Sequence, residues 1–358
     1  MRRRDFVASA AFAAATPAPI EAALLTHEDG PHLSAYIEAL ANTPEVGAVS
    51  LCDPSGKTET AVRKGLGARL IGAYHDKADL FKARKPALAL ITMEGKLAPP
   101  AIAAALDSGC HVMAEKPACV RAEDFAPLMA KAEAGKRNLM LALANRKDPV
   151  MAEARRLVQS GRIGKLYGMD MYTIADQTRL TRPAYHRSWT AQKSRAGGGH
   201  LIWLGIHWLD IAMFITGSPI TQVAGFAGNV GGQPIDTEDS AAIALRFANG
   251  TFGNVTSGYY LDRGKHLSIK IWGSLGWLEI RHGTGNPLEW QSGNGPVQHF
   301  TPPAGAPPIY TKFVQHAARA AAGLEAPILS PAESLRVLRV VFAGYRAAET
   351  GQTQRVES

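Results

Sequence analysis

The sequence predicts an α/β protein of two domains, with a doubly wound parallel sheet in its first third and an antiparallel hairpin in its second half. Three observations lead to this prediction. Short apolar runs alternate with helix-length segments up to about residue 143, which is typical of parallel strands joined by crossover helices. In the second half, two β-rich runs flank Asn249-Gly250, which is a strong signal for a hairpin. The chain has 358 residues, which suggests two domains.

The individual elements follow from hydrophobic periodicity and from the glycines and prolines between them. Strands of the first sheet are predicted at residues 46–52, 87–92, 111–114 and 138–143, with a helix at 100–106. Strands of a second sheet are predicted at residues 163–173, 240–248, 251–257, 266–272 and 276–280. Amphipathic helices are predicted at 151–161 and 331–348, and a Gly- and Pro-rich loop at 286–308.

Glu115, Lys116 and Pro117 directly follow the predicted strand at residues 111–114. Open α/β sheets bind ligands at the carboxyl ends of their strands. Proline ends the strand and stiffens the turn, and lysine is a donor whose pKa moves readily in a cleft. A surface Glu-Lys pair is the alternative interpretation, and on these three residues alone both remain open.

Two other predicted strands end at polar residues: Asp53 directly follows the strand at residues 46–52, and Thr92 is the last residue of the strand at 87–92. An acid at the end of the second strand of such a sheet accepts hydrogen bonds from the ribose hydroxyls of an adenine dinucleotide. We therefore place Asp53 and Thr92 among the candidate cofactor contacts. The alternative for Asp53 is a turn-forming aspartate before Pro54.

Five motifs along the chain carry a resemblance to a known family. They are Cys52-Asp53-Pro54, Ala-Glu-Lys-Pro at 114–117, Asn145-Arg146 with Pro149, Ser-Gly-Arg-Ile-Gly at 160–164, and the glycine-led segment 197–210. In this order they resemble the Gfo/Idh/MocA family (glucose–fructose oxidoreductase and inositol dehydrogenase). The resemblance implies a Rossmann-type domain at residues 20–145 and an α+β domain at 146–358 with a large, mostly antiparallel open sheet. It also implies hydride transfer between NAD or NADP and a hydroxyl of a carbohydrate or cyclitol.

The resemblance further implies two catalytic residues, Lys116 and His207. Lys116 would hold and polarise the reacting oxygen, and His207 would relay its proton, a task that suits histidine near neutral pH. Glu115 and Pro117 would lie on the nicotinamide side of the site. Relatives often carry an aspartate four residues before the histidine, and this chain has Trp203 there.

The segment that contains His207 begins after three glycines at residues 197–199. His200, Trp203, Leu204 and His207 recur at steps of three and four residues, which predicts that they share one face of a helix.

Candidate substrate contacts come from the polar, aromatic and basic segment at residues 176–196 and from its neighbours. Such a composition suits a sugar, which offers hydroxyls for hydrogen bonds and C–H faces for stacking. The candidates are Arg146, Trp189, Lys193 and Trp203. An ordinary surface excursion is the alternative for residues 176–196.

The phosphate-binding loop departs from the family pattern. Leu24, Thr26 and Asp29 stand where relatives have glycines, and Gly30 is out of register. Glycine matters at these positions because backbone N–H groups must approach a pyrophosphate closely. We favour an atypical binding mode in which a wider loop contacts the phosphates through Thr26, His27 or His32.

The loss of these glycines is also compatible with two different roles for the loop. In the first, the cofactor has been lost, which leaves a sugar-binding protein or a partner subunit. In the second, the loop binds a metal ion through His27, Glu28, Asp29 and His32. We predict no metal, because four such residues within one turn more often cap and solvate a helix start. A glycosidase that works by transient oxidation and elimination with tightly held NAD is a further alternative function.

The chain ends and the composition give the remaining predictions. Residues 1–19 combine an Arg-Arg-Asp-Phe-Val stretch, an Ala-rich run and small residues. This combination predicts a twin-arginine export signal and a periplasmic location. A basic tail on a cytoplasmic protein is the alternative.

The formal charge of +8 is carried by scattered residues, which argues against nucleic-acid binding. The Ala-rich run is too short to span a membrane. An open sheet with one uncovered face predicts a homo-oligomer.

Overall fold

The structure, a computed structural model, describes residues 18–261, 263–281 and 285–357. The predicted export signal lies almost wholly outside these residues and stays a prediction.

The first sheet contains six parallel strands in the order β3-β2-β1-β4-β5-β6. Its strands are β1 Ile20–Thr26, β2 Val46–Cys52, β3 Leu70–Tyr74, β4 Leu88–Thr92, β5 His111–Ala114 and β6 Leu139–Leu141. The strand order reverses between β1 and β4, so the loops that follow these two strands meet at the topological switch point where such sheets bind ligands. The predicted doubly wound parallel sheet is confirmed.

Helices cover both faces of this sheet through apolar sides rich in alanine and leucine. They are α1 Leu33–Ala41, α2 Glu59–Leu66, α3 Lys77–Ala83, α4 Ala98–Asp107 and α5 Ala122–Ala134. The helix α4 begins with prolines in its first turn, where the missing N–H group costs nothing.

The second sheet has nine strands in the order β14-β13-β12-β11-β7-β10-β9-β8-β15. Its strands are β7 Leu166–Asp176, β8 Ile220–Gly228, β9 Ser240–Phe247, β10 Phe252–Leu261, β11 Lys265–Gly273, β12 Gly276–Arg281, β13 Leu288–Ser292, β14 Gln298–Phe300 and β15 Gln354–Arg355. Only β7 and β10 pair in parallel, and the other pairs are antiparallel. The mostly antiparallel sheet and the hairpin at Asn249-Gly250 are therefore confirmed.

The predicted loop at residues 286–308 is wrong in part, because it contains β13 and β14. Leu288 and Trp290 are buried while Glu289 between them is partly exposed, which is the alternation of a half-buried strand. The run is short and lies among glycines and prolines, which obscure its period of two.

The remaining helices follow the first sheet in the chain. They are α6 Pro149–Gln159, α7 Pro183–Arg187, α8 Lys193–Ala196, α9 Ile206–Thr216, α10 Ile309–Ala321 and α11 Pro331–Thr350. The last helix starts with a capping box between Ser330 and Glu333. One turn later, Ser334 Oγ accepts from the Leu141 N–H at 3.2 Å and donates to the Leu139 oxygen at 3.3 Å. The final helix thus packs against the first sheet, and the predicted domain boundary at residue 145 stays a prediction.

Among the described residues, one helical stretch, Lys193–Thr216, is long and apolar enough to cross a membrane by length and composition. Within its most apolar window, 72% of the residues are buried inside the protein, as is usual for a core helix.

Candidate functional site

Glu115 and Lys116 lie at the carboxyl end of β5, and only 1% of the surface of each residue is exposed. Lys116 Nζ donates to the Trp203 main-chain oxygen at 2.8 Å and lies 3.9 Å from the centroid of the Trp203 ring. Glu115 Oε1 is 3.7 Å from Lys116 Nζ and 3.4 Å from His32 Nδ1. The Tyr36 hydroxyl donates to the other oxygen of Glu115. The predicted Glu-Lys turn is therefore a buried cluster and not a surface ion pair.

Trp203 lies in a π-helical turn, Leu201–Gly205, that leads directly into α9. A π turn holds more residues than an α turn and is common at functional sites. The predicted regular α-helical face is therefore wrong here. His200 is fully buried and its Nδ1 lies 2.6 Å from Ser257 Oγ on β10, while the His207 residue is partly exposed but its Nδ1 is buried.

The charges around Lys116 set the protonation states of its neighbours. Burial lowers the pKa of Lys116 to about 8, although Glu115 opposes this change. Burial and then the charge of Lys116 lower the pKa of His207 well below its usual value. Burial lowers the pKa of His200 to about 3. Near neutral pH both histidines are uncharged. Of the three groups, Lys116 has the pKa closest to neutral pH and is therefore the one that exchanges a proton there.

Four buried polar atoms of these residues have no hydrogen-bond partner within the described part of the chain. They are Oε1 of Glu115, Nε2 of His200, Nε1 of Trp203 and Nδ1 of His207. Buried polar groups in proteins are almost always hydrogen-bonded, so this concentration around one lysine marks a place that receives further polar groups.

The turn after β1 is filled by the side chain of His27. The Asp29 N–H donates to His27 Nδ1 at 3.2 Å, and the Glu94 N–H donates to His27 Nε2 at 3.1 Å. Gly30 is needed for space, because a Cβ there would lie 2.2 Å from Thr26 Oγ1 and 2.8 Å from the Thr92 oxygen. The single glycine of this turn therefore allows close packing against the ends of β1 and β4.

His27 cannot satisfy both donors. A neutral imidazole carries one N–H and one acceptor nitrogen, and the imidazolium has no acceptor. Burial lowers the pKa of His27, with Glu94 opposing this change, so the neutral form is favoured. Two backbone N–H groups from adjacent strand ends thus point at one small space, and an anion with several oxygens would accept from both.

Three predicted cofactor contacts, Thr26, Thr92 and Asp53, are occupied by this chain's own groups. The hydroxyl of Thr26 donates to the Thr92 oxygen at 3.2 Å, and the hydroxyl of Thr92 donates to the Pro31 oxygen. Asp53 accepts from the N–H and hydroxyl groups of Ser55 and Thr58 at 2.7–2.9 Å. The Asp53 carboxylate organises the turn before α2, as the alternative interpretation expects, and its role as a cofactor contact stays a prediction.

Two of the four predicted substrate contacts lie elsewhere. The Arg146 guanidinium is buried and donates to Asp210 at 2.7 Å and to Glu333 at 2.9 Å, so its donors support the packing of α9 and α11. Lys193 pairs with Glu349 at 2.9 Å on the outer surface. These two assignments are corrected, because the charges that hold both side chains are distant in the sequence.

The other two candidates, Trp189 and Trp203, do meet. Their ring centroids are 5.3 Å apart, and Trp203 covers Lys116. Pro117 is buried and follows a cis peptide bond. Trp189, Trp203, Glu115, Lys116 and His207 therefore belong to one region at the carboxyl edge of the first sheet.

The four residues considered as metal ligands have separate partners. Glu28 pairs with Lys57 at 2.6 Å, and His32 faces Glu115. Within the described part of the chain, no group of three or more His, Cys, Asp or Glu side chains is placed to hold a metal ion.

Sequence reasoning missed Tyr36, Tyr310 and Glu94, and it gave His200 no role in the site. Tyr36 and Tyr310 pack edge to face with centroids 5.2 Å apart, beside Glu115. Tyr36 occupies an apolar helix position and Tyr310 is far along the chain, so neither carried a local signal. Glu94, two residues after β4, could have been found by the strand-end argument that selected Glu115.

Two family profiles match the chain. An oxidoreductase family with an NAD-binding Rossmann fold matches residues 30–143, beginning at the single glycine of the phosphate turn, and the GFO/IDH/MocA C-terminal domain matches residues 151–279. The chain belongs to the Gfo/Idh/MocA oxidoreductase family.

Relatives within the Gfo/Idh/MocA family include NAD-dependent sugar and cyclitol dehydrogenases. Levoglucosan dehydrogenase of Pseudarthrobacter phenanthrenivorans is 28% identical over 201 residues, which is 50% of this chain and 51% of that protein. The NAD(+)-dependent scyllo-inositol 2-dehydrogenase of Bacillus subtilis is 25% identical over 187 residues, or 49% of each protein. The chain thus aligns with about half the length of these curated relatives.

The fold of the Gfo/Idh/MocA family extends over nearly the whole chain. A structure of levoglucosan dehydrogenase in complex with NADH and L-sorbose superposes with a TM-score of 0.84 at 18% identity, covering 96% of this chain and 100% of that one.

Proposed function

We propose that this chain oxidises or reduces a hydroxyl group of a sugar or cyclitol with NAD or NADP. The observation that carries the proposal is the buried Glu115-Lys116 pair at the end of β5, joined there by Trp203 and His207 from the second half of the chain. Relatives with this family's domains act on levoglucosan and scyllo-inositol, which supports a polyhydroxylated substrate.

The pKa directions assign the proton chemistry among the chain's own residues. A general base works best when its pKa lies near the operating pH. Lys116, with a pKa of about 8, meets this condition. His207 does not, because burial and the charge of Lys116 lower its pKa well below the usual value. We therefore assign removal of the hydroxyl proton to Lys116 and hydrogen bonding to the substrate oxygen to neutral His207, which refines the roles expected from the resemblance. The nicotinamide, when bound, supplies hydride transfer.

The dinucleotide would bind in an atypical way. The N–H groups of Asp29 and Glu94 converge on His27, which satisfies only one of them. A phosphate that displaced His27 would accept from both, so backbone donors for an anion are present even without the usual glycines. Asp53 would keep its turn contacts, which leaves the ribose without its customary acceptor.

Calorimetric titration with NAD and NADP tests this function. We expect wild-type protein to bind one of them, and His27→Ala to bind it about tenfold more tightly, since the ligand no longer has to break the hydrogen bond that the imidazole accepts. His299→Ala, on the outer strand β14, is the matched control and should bind as wild type. Weaker binding by His27→Ala would show that the ring contacts the ligand, and absence of binding by all three proteins would contradict a dinucleotide function.

A second candidate function is a non-catalytic sugar-binding or partner subunit. Two observations favour it: Trp203 covers Lys116 where relatives often carry an acid, and the Asp53 carboxylate is saturated by Ser55 and Thr58. It would gain support from the same titration if sugar ligands bound while both nucleotides did not.

We also propose that the chain forms a homo-oligomer through the open face of the second sheet. Strand register places Phe226 and Tyr172 in one cross-strand row, and Phe252 and Trp272 in another row on the same face. All four are exposed, Phe226 by 79%, and β8–β10 line a groove of about 500 Å³ beside them. Apolar surface of this kind usually marks an interface.

Sedimentation velocity tests the oligomer. Phe226→Glu should convert a dimer or higher oligomer to monomer, because a carboxylate would be buried in the interface without a partner. Val230→Glu is the control, since Val230 is equally exposed but lies beyond the end of β8. A wild-type protein that sediments as a monomer would exclude this interface.

A further inference from the structure

A strap, residues 188–197, crosses the carboxyl edge of the first sheet. It leaves the surface after α7 and returns to the core at the glycines that precede His200. Its inner side touches the turns that follow β1, β4 and β5, which are the loops at which an open α/β sheet receives its ligand.

Trp189 and Arg195 hold the strap on its inner side. Trp189 is 3% exposed, and its Nε1 donates to the Asp29 main-chain oxygen at 3.3 Å. Its ring also lies edge-on to His27, with centroids 6.4 Å apart. Trp189 therefore closes over the side chain that fills the phosphate turn.

Arg195 makes the second contact. Its guanidinium donates to both carboxylate oxygens of Glu94, with Nε at 3.1 Å from Oε1, and its main-chain oxygen accepts from the Lys96 N–H at 3.1 Å. Glu94 is 2% exposed, so Arg195 neutralises a buried carboxylate. A Cβ at Gly95 would lie 3.2 Å from the Arg195 oxygen, which shows how closely the two segments pack.

The outer side of the strap is held more loosely. Lys193 pairs with Glu349 while half of each side chain is exposed, and such pairs contribute little to stability. The backbone of the strap also contacts exposed Asp236: the Lys193 N–H donates to Asp236 Oδ1 at 2.5 Å, and the Ala191 oxygen accepts from the Asp236 N–H at 3.2 Å. Among the side chains of the strap, those on the inner side contact buried groups and therefore hold it most firmly.

We propose that the strap is a closed latch over the cofactor cleft, held by Trp189 on Asp29 and by Arg195 on Glu94, and that ligands reach Lys116 only after it lifts. This inference deepens the proposed dinucleotide function, which requires that His27 and the strap give way. The strap also contributes indirectly to the almost complete burial of Lys116, because Trp189 packs on Trp203, and Trp203 covers Lys116. Lifting the strap would free the phosphate turn and remove Trp189 from Trp203 in the same movement.

Chemical labelling of Lys116 tests the latch without any nucleotide. The probe is trinitrobenzenesulfonate, which modifies neutral amines, used near the Lys116 pKa of about 8 and quantified by peptide mass spectrometry. We expect Arg195→Gln to raise the rate of Lys116 modification about tenfold, the factor expected when one charge-assisted contact is lost. Trp189→Phe, which keeps the packing and removes the indole N–H, should raise it several-fold.

Lys193→Gln is the matched control, because Lys193 belongs to the same strap but pairs on the outer side, and its Lys116 labelling should equal that of wild type. Should Arg195→Gln fail to fold by circular dichroism, Trp189→Phe decides the result. Equal labelling rates in all four proteins would overturn the latch. Calorimetry with NAD on the same proteins separates the two proposals. Faster labelling of the variants without nucleotide binding supports the latch and rejects the dinucleotide function. Tight NAD binding to wild type with unchanged labelling of the variants supports the dinucleotide function and rejects the latch.

Discussion

Lys116→Met should lower turnover of a sugar or cyclitol substrate by about a thousandfold, within the range contributed by a positioned proton acceptor. Methionine keeps the unbranched shape of the stem against Trp203 but has no amine to take the hydroxyl proton. Levoglucosan, scyllo-inositol and related polyols with NAD or NADP are the substrates to screen, with NADH formation followed by its absorbance. Lys131→Met is the control, because Lys131 makes a solvent-exposed pair with Asp107 away from the cleft.

The rate of the same oxidation should increase with pH. Because burial lowers the pKa of Lys116 to about 8, the fraction of neutral amine rises as pH increases through that value, and oxidation should accelerate in parallel. The pKa of His207 lies well below its usual value, so His207 stays neutral and adds no second step near neutral pH. A rate that falls through pH 8 would reverse the role assigned to Lys116 and make its ammonium form the active one.

Two outcomes of the turnover experiment would assign a different mechanism. If Lys116→Met stays within a few-fold of wild type, Lys116 is not the proton acceptor. Sugar release from a glycoside without net NADH formation would instead assign the route of transient oxidation and elimination.

Asp210→Asn should lower the free energy of unfolding by about 3 kcal/mol, because it removes one partner of a buried charge pair. Asp210 and Arg146 are nearly inaccessible to solvent and share three hydrogen bonds of 2.7–3.1 Å. Without the aspartate, Arg146 keeps its hydrogen bonds to Glu333 and to the Ile328 oxygen, but it loses the more buried of the two carboxylates that balance its charge where α9 meets the first half of the chain.

Urea unfolding followed by circular dichroism measures this change. Asp107→Asn, which breaks the exposed pair with Lys131, is the control and should leave the midpoint almost unchanged. Equal effects of the two substitutions would contradict a supporting role for Arg146 and reopen its assignment as a substrate contact.

Much of the fold could be predicted from local patterns. Strands of the first sheet are continuous apolar runs because both faces are covered by helices, and the predicted bounds of β2 and β5 are those observed. The π turn at Leu201–Gly205 was not predictable, because its glycine and apolar residues are equally compatible with an α-helix. The strand β13 was hidden by the turn residues around it.

The sequence alone determined the parallel sheet, the family and the residues that end its strands, because apolar periodicity and short motifs are local properties. It placed Glu115 and Lys116 at the edge where ligands bind. Only the tertiary structure decided what surrounds them: Trp203 lies on Lys116, His27 fills the phosphate turn, and Trp189 of the strap packs on Trp203 and donates to the turn after β1. These contacts join residues up to 160 positions apart, and whether a side chain is free for a ligand depends on which distant donor or acceptor reaches it first.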